Sequence, residues 1–288
     1  MILDNPISQR NDLMADLGMP TLIELPHLED CAALCHELGL QFMELNMNLP
    51  QYQINKFDIK KYRELARKYN IYYTIHLDEN LNISDFNPYV ADAYRQTVLD
   101  TINTAKELSI PILNMHLSNG VYFTLPHKKV FLFEEYKDIY LTSIQNFRAE
   151  CESAIDGRNI TICIENSDGY SNFQTDALTV LLESPVFALT FDIGHNYGIG
   201  GMDEPVILSH KEHLRHFHFH DALGRANHLA LGTGEIDLEK YYRIAYEHQC
   251  RIVLETKTVD GLMQSVEWIK NFSGCTALPD TGITIPIW

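Results

Sequence analysis

Short apolar runs alternate with longer segments of helical periodicity along most of the chain. The runs that we predict as strands are TLIEL (21–25), QFMELNM (41–47), IYYTIHL (71–77), PILNMHL (111–117), ITICIEN (160–166), FALTFDIG (187–194), LRHFHFHD (214–221) and RIVLET (251–256). The segments that we predict as helices are 28–38, 58–69, 89–108, 133–155, 174–183, 203–212, 237–248 and 260–271. The second helix has Asp58 as its predicted N-cap and Ile59, Tyr62 and Leu65 at helical spacing. Such alternation is typical of βαβ units with parallel strands.

Eight units of this kind predict an α/β protein with a single (β/α)₈ barrel. The competing arrangement is an open doubly wound sheet, which often has a glycine-rich first turn, and no G-x-G-x-x-G follows the first predicted strand. The 288 residues suit one barrel domain of about 250 residues. No linker or composition break divides the chain, so we predict a single domain over residues 1–288. The tail, 273–288, has no helical pattern and ends in apolar residues, so we expect it to pack on the barrel or on a partner subunit, which leaves a homo-oligomer open.

Composition and charge narrow the class of protein. Hydrophobic residues make up 45% of the chain, which is enough for a sizeable core, and no apolar run approaches the length of about 20 residues that crosses a membrane. The first residues, MILDNPISQRND, lack the apolar stretch of a signal peptide, so we expect a cytoplasmic protein without membrane contact. The 39 acidic residues outnumber the 22 basic ones. Because a nucleic-acid binder usually carries a basic stripe, we expect a small-molecule substrate and no nucleic acid.

Polar side chains interrupt the predicted strands near their C-terminal ends. Both faces of a parallel barrel strand are normally apolar, and the C-terminal face is where barrel enzymes place their sites. The residues that break the rule there are His76, His116, Glu165, Asp192, His218, His220 and Glu255. Burying such a group without a partner costs roughly 2–7 kcal/mol. We therefore expect these side chains to neutralise one another or to bind a cation.

The seventh predicted strand gives the clearest signal. Period-two alternation in RHFHFHD puts His216, His218 and His220 on one face and two phenylalanines on the other, so the histidines should line the barrel interior. A lone histidine would more often be a hydrogen-bonded core residue, but three in register favour a site. Mixed carboxylate and imidazole ligands suit Mn²⁺, Zn²⁺, Fe²⁺ or Co²⁺. Glu44 lies near the end of the second strand, but its phase is ambiguous and it receives no role.

Five motifs together resemble one known superfamily. CIEN, FDIGHN, HFHD, NHLALGTGEID and VLET are similar to the xylose-isomerase-like TIM barrels, which include sugar and sugar-phosphate isomerases and epimerases, dehydratases and endonuclease IV. The resemblance covers about residues 17–272, which we take as the barrel core. It implies one divalent metal ion held by Glu165, Asp192, His218 and Glu255. It also implies that Glu165 and Glu255 are catalytic and move a proton on opposite faces of the substrate through a metal-stabilised enediolate.

The resemblance and the positions of other polar residues suggest a set of substrate-binding residues. This set is His76, His116, His195, His220, Arg225 and His228. In the endonuclease IV branch, two further histidines and an Asp-x-His pair hold additional zinc ions. His76, His116 and His228 match that pattern, whereas Ala226 stands at the aspartate position. A second ion near His76 and His116 therefore remains open, and a third is not favoured.

The function that we predict is a divalent-metal-dependent isomerase or epimerase acting on a sugar, a sugar phosphate or a polyol. One alternative is a lyase or dehydratase that begins with the same proton abstraction but expels a leaving group. Another is an endonuclease IV-like zinc phosphodiesterase acting on abasic DNA, which the acidic composition disfavours.

Overall fold

The computed structural model of the protein describes residues 16–272. Eight parallel strands close into a barrel, which confirms the predicted (β/α)₈ fold. The barrel strands are β1 (Leu17–Pro20), β2 (Phe42–Asn46), β3 (Tyr72–His76), β4 (Ile112–His116), β7 (Thr161–Glu165), β8 (Phe187–Asp192), β9 (Leu214–Phe219) and β12 (Arg251–Leu254). Their order around the barrel is β1-β12-β9-β8-β7-β4-β3-β2. The predicted packing of the tail, 273–288, concerns residues outside the described range.

Helices follow the barrel strands on the outside. They are α1 (Leu28–Glu37), α2 (Ile59–Tyr69), α3 (Pro88–Leu108), α4 (Leu132–Glu135), α5 (Lys137–Ile155), α6 (Asn172–Leu182), α7 (Ile193–Gly198), α8 (Glu204–Ser209), α9 (Leu238–Glu247) and α10 (Val259–Asn271). The Asp58 carboxylate accepts a hydrogen bond from the Lys61 backbone N–H at 3.1 Å, as expected of an N-cap. The helix predicted at 133–155 is divided into α4 and α5 at Tyr136, where φ is −114° and ψ is 45°. Among residues 16–272, no helix combines the length and apolar character needed to cross a membrane.

The first predicted strand was wrong. Barrel strand β1 is Leu17–Pro20, in which Gly18 pairs with Phe42 and Val253, while the predicted run TLIEL leads away from the barrel and leaves Ile23 76% exposed. Local propensity favours TLIEL because its side chains include β-branched residues, whereas Gly and Pro are depleted in strands. Closure of the barrel between β2 and β12 outweighs that preference.

Two hairpins that the sequence pattern did not predict lie after β4 and β9. They are β5 (Tyr122–Thr124) with β6 (Lys129–Phe131), and β10 (Asp221–Leu223) with β11 (Ala226–Leu229). Both follow the C-terminal end of a barrel strand, so they border the mouth where the polar residues converge. The second hairpin contacts one of these polar residues directly, because the backbone N–H of His228 in β11 donates to the His220 ring.

Apolar packing occurs on both sides of the barrel wall. A large cluster lies between the strands and the helices, and a small cluster inside the barrel consists of Ile112, Cys163 and Ala188. Two residues further along the same strands, the interior side chains are Asn114, Glu165 and Thr190. The interior therefore changes from apolar to polar over one step of the pleat, towards the C-terminal face.

A substitution at Gly18 tests the position of β1. A Cβ atom there would overlap the buried Phe42 ring, so Gly18→Ala should lower the free energy of unfolding by about 1–3 kcal/mol. Urea unfolding followed by circular dichroism measures the change. Gly198→Ala is the control, because a Cβ atom on that exposed residue would have no neighbouring atom within 4 Å. Equal stability of the two variants would contradict the register.

Candidate active site

Four side chains converge at the C-terminal ends of neighbouring strands. Glu165, Asp192, His218 and Glu255 each offer a ligand atom, and these four atoms all lie within 4.8 Å of one another. The Nδ1 atom of His218 is 3.1 Å from Glu165 Oε1, 3.4 Å from Glu255 Oε2 and 3.8 Å from Asp192 Oδ2. All four residues are buried. The structure thus brings together the four residues that the resemblance implied as metal ligands.

The charges of this cluster require compensation. Burial alone would raise the pKa of Glu165, but the neighbouring imidazoles of His218 and His116 outweigh it and hold that pKa well below its usual range. Glu255 behaves in the same way, because His218 and Lys257 together outweigh burial and keep its pKa low. Conversely, burial would lower the pKa of His218, but the carboxylates of Glu165, Glu44 and Glu255 raise it well above its ordinary value. The cluster therefore favours positive charge at its centre.

The donor set fits a divalent cation. Glu255 Oε2 is buried and has no hydrogen-bond partner among the described residues, so one carboxylate oxygen at the centre is left unsatisfied. Three carboxylates and one imidazole are ligands that Mn²⁺, Zn²⁺, Fe²⁺ and Co²⁺ accept. An ion at this position would satisfy that oxygen and offset the negative charges, because buried charges are normally paired or coordinate metals.

Two histidines predicted to bind substrate contact Glu165. The Nε2 atoms of His76 and His116 are 3.3 and 3.0 Å from Glu165 Oε2, and the Asn114 amide donates to the same oxygen. His76 Nδ1 lies 2.7 Å from the carbonyl oxygen of Leu77 and donates to it. Burial would lower the pKa of His76, but Glu165 raises it to about 9. The group of His76, His116 and Glu165 could hold a further cation, so the second ion stays a prediction.

His195 and His220 contact Asp192 from different sides. The backbone N–H of His195 donates to Asp192 Oδ1 at 2.6 Å, because Asp192 caps α7. His220 Nε2 is 3.1 Å from both carboxylate oxygens, and its Nδ1 accepts from the backbone N–H of His228. Since a backbone N–H can only donate, Nδ1 carries no proton and Nε2–H donates to Asp192. Both ring nitrogens of His220 are engaged and the residue is fully buried, which does not favour its predicted substrate-binding role.

The second hairpin carries the remaining predicted substrate residues. Arg225 is exposed at its turn, where its contact with substrate stays a prediction. The His228 ring contacts that of His220, with 4.2 Å between centroids and an interplanar angle of 35°, and its Nδ1 is 3.9 Å from Glu255 Oε2. Its backbone is left-handed, with φ of 53°, which is uncommon outside glycine. Burial lowers the pKa of His228 to about 4, despite the nearby Glu255.

Two residues of the site were given no role in the sequence analysis: Glu44, whose phase was ambiguous, and Lys257, which was not singled out. Glu44 is 2% exposed, and its carboxylate contacts both His216 and His218. Lys257 Nζ donates to Glu255 Oε1 at 2.8 Å. The signal for Lys257 was its spacing, since it lies two residues after Glu255. Glu44 could have been found from His216: this histidine was predicted to face the barrel interior, where it needs a hydrogen-bonding partner from another strand.

Comparisons with known proteins agree with this architecture. A family model described as xylose isomerase-like TIM barrel matches residues 32–272. A curated relative, the uncharacterized protein MJ1188 of Methanocaldococcus jannaschii, is 24% identical over 247 residues, which are 82% of this chain and 85% of the relative.

Two solved structures have a similar fold. One is a D-tagatose 3-epimerase-like protein, with a TM-score of 0.72, 21% identity and coverage of 88% of this chain and 96% of the other. The second is D-psicose 3-epimerase with D-tagatose from Clostridium cellulolyticum H10, with a TM-score of 0.68, 13% identity and coverage of 88% and 97%. At these identities the similarity is one of fold.

The burial of His228 predicts a change in stability with pH in the metal-free protein. Its folded pKa of about 4 lies below the ordinary value of 6.5, so the unfolded chain binds more protons between these limits. Stability should fall as the pH drops through this window. His228→Asn removes the titrating ring and introduces a residue that tolerates the left-handed backbone. The difference in unfolding free energy between variant and wild type should therefore be more favourable to the variant by roughly 2 kcal/mol at pH 5 than at pH 8.

Urea unfolding of wild type and variant at the two pH values, with chelator present, measures this difference. His127→Asn is the control, since His127 is exposed and folding changes its surroundings little. If His228→Asn changed stability equally at pH 5 and pH 8, His228 would not be the buried titrating group described here.

Proposed function

Because the chain belongs to the xylose isomerase-like TIM barrel family, we propose that it is a divalent-metal-dependent isomerase or epimerase of a sugar, a sugar phosphate or a related polyol. The observation that carries this proposal is the buried cluster of Glu165, Asp192, His218 and Glu255, with an unsatisfied oxygen of Glu255 at its centre. One similar structure is named D-psicose 3-epimerase and another D-tagatose 3-epimerase-like protein, which supports a sugar as the class of substrate.

The two glutamates suit proton transfer from opposite sides. Glu165 ends β7 and Glu255 follows β12, and β8 and β9 separate these strands in the barrel. Each glutamate directs one carboxylate oxygen to the centre of the cluster. Its second oxygen accepts a hydrogen bond, from the Asn114 amide in Glu165 and from Lys257 in Glu255. One would remove the proton beside the substrate carbonyl, and the other would return a proton to the opposite face or to the neighbouring carbon. A bound divalent ion would polarise that carbonyl and stabilise the developing negative charge.

Other side chains would bind and orient the sugar. His195 and His228 border the opening, and each side chain is 23% exposed, so their rings can reach substrate hydroxyl groups. His116, with 15% of its side chain exposed, lies on the Glu165 side of the same opening. We assign these three histidines, together with Arg225 of the second hairpin, to substrate binding.

A second candidate function is favoured by one observation. His76, His116 and Glu165 form a further group whose ligand atoms lie within 4.8 Å, which could hold a second ion as in a zinc phosphodiesterase. Ala226 provides no carboxylate for a third, and the net charge of −17 gives a phosphodiester backbone little attraction. A lyase that begins with the same proton abstraction would use the first cluster unchanged.

The isomerase proposal predicts exchange of a substrate proton with solvent. With Mn²⁺ added, the enzyme should introduce deuterium from D₂O beside the carbonyl of at least one member of a panel of ketohexoses and ketohexose phosphates, as measured by NMR. Glu165→Gln should reduce the rate by at least about a hundredfold, because the amide cannot accept the proton.

Glu29→Gln is the control for this substitution, since Glu29 forms an exposed ion pair with Lys68. Absence of exchange across the panel, with the ion shown to be bound, would contradict the proposal. Chelator-sensitive nicking of an abasic duplex oligonucleotide in a parallel assay would instead support the phosphodiesterase.

The support of Asp192 by His220 predicts an effect on metal affinity. A Cβ atom on Gly194 would overlap the His220 ring, so Gly194→Ala must displace that ring from Asp192. The affinity for Mn²⁺ should weaken by about 10- to 100-fold, as for other residues that orient a metal ligand. Isothermal titration measures it, with Gly198→Ala on the same helix as the control. Equal affinities of the two variants would rule out this support.

A further inference from the structure

The interior of the barrel contains a carboxylate that the proposed reaction does not use. Glu44 on β2 is 2% exposed and lies on the far side of His218 from the candidate metal position. We infer that Glu44 is a positioning residue, which fixes the tautomer and orientation of His218 so that His218 Nδ1 is available to a metal ion. This inference rests on the metal dependence in the proposed function.

The two ring nitrogens of His218 face different carboxylates. Nδ1 points to the cluster, at 3.1 Å from Glu165 Oε1 and 3.4 Å from Glu255 Oε2. Nε2 lies 2.9 Å from Glu44 Oε1, which is an ion-pair contact, although the angle is not that of a hydrogen bond in the metal-free protein. The His218 side chain is fully buried, so solvent offers Nε2 no alternative partner.

Glu44 is itself held by two donors from other strands. Its Oε2 accepts a hydrogen bond from the Thr74 hydroxyl on β3 at 2.9 Å and another from His216 Nε2 on β9 at 2.9 Å. These two bonds fix the plane of the carboxylate and leave Oε1 directed towards His218. The arrangement joins three strands across the barrel interior, so Glu44 has little freedom to move away.

The chemistry of a metal-bound imidazole gives this contact its role. A neutral imidazole that offers the Nδ1 lone pair to a cation must carry its proton on Nε2. A carboxylate that accepts this proton in a hydrogen bond fixes the tautomer and the ring orientation and raises the basicity of the ligating nitrogen. Among the described residues, Glu44 is the carboxylate placed to do so. Its negative charge would also favour a cation on the other side of the ring.

Two alternative roles for Glu44 lead to different predictions. Glu44, His216 and His218 have ligand atoms within 4.8 Å of one another, so they could themselves hold a cation. In that case, removing Glu44 would reduce the number of bound ions. If Glu44 were only a hydrogen-bonded core residue, its replacement would lower the stability and leave the metal affinity unchanged.

The experiment compares two Glu→Gln variants in the full chain. Glu44→Gln places an amide N–H donor next to the donors of Thr74, His216 and His218. It should therefore weaken Co²⁺ binding by about 10- to 100-fold, while the number of Co²⁺ ions bound per chain remains that of wild type. Chelator competition gives the affinity, and the visible absorption of bound Co²⁺ should change because His218 is reoriented. Glu204→Gln is the matched control, since it disrupts contacts with Lys240 and Tyr241 away from the site and should bind like wild type.

A second measurement needs no variant at position 44. In the Zn²⁺-loaded wild type, long-range ¹H–¹⁵N spectra should show His218 protonated on Nε2 and slow exchange of that proton with solvent, assigned by its loss in His218→Gln. A proton on Nδ1, or rapid exchange at Nε2, would overturn the inference even if Glu44→Gln does not fold.

The outcomes separate this inference from the proposed reaction. Weaker Co²⁺ binding by Glu44→Gln, with no sugar exchange by wild type, would support the positioning role and reject the reaction. Equal Co²⁺ affinities of Glu44→Gln and Glu204→Gln would overturn the positioning role, whether or not the wild type is active. The positioning role would also be overturned if Glu44→Gln bound one Co²⁺ ion fewer per chain and bound the remaining ions as tightly as wild type does.

Discussion

Repulsion among buried carboxylates is the constraint on which the rest of the site depends. Glu165, Asp192 and Glu255 are buried around one imidazole, and among the described residues none of the three is paired with an arginine, while Glu255 alone is paired with a lysine, Lys257. Such an arrangement is stable only if positive charge is present at its centre, because buried charges otherwise carry a penalty of several kcal/mol. Protonated histidines can provide that charge in the metal-free protein, and a cation can replace them. The surrounding hydrogen bonds keep the carboxylates pointed at a common position in either state.

The fold could be predicted from the sequence because it follows from short-range patterns, whereas the four residues of the central cluster were implied by the resemblance to a known superfamily. Eight alternating units specify a barrel, and period-two alternation places His216, His218 and His220 inside it. The prediction from sequence failed where contacts between distant strands determine the structure. Strand β1 was misplaced because pairing with β2 and β12 outweighs the propensity of TLIEL, and the role of Glu44 depends on Thr74 and His216, which come from other strands.

Contacts between distant strands also determine the hydrogen-bonding partners of His220. Its phase in β9 correctly predicts an interior side chain, but the partners of its two nitrogens come from β8 and from the hairpin of β10 and β11. The neighbours of a histidine take up its hydrogen-bonding capacity, and sequence spacing does not show which neighbours these are. Residues 193–194 were likewise predicted as strand, although Asp192 begins a short helix there by capping it.

The second hairpin has a consequence for how this barrel could change its specificity. Its backbone at His228 is tied to His220 and through it to Asp192, whereas the turn at Gly224 and Arg225 is exposed. Evolution or protein engineering can therefore lengthen or replace the turn and so reshape the entrance. Insertions next to His228 would instead disturb the interior. The hairpin therefore consists of an exposed tip, where substitutions would leave the interior contacts in place, and a base that is hydrogen-bonded to the interior of the barrel.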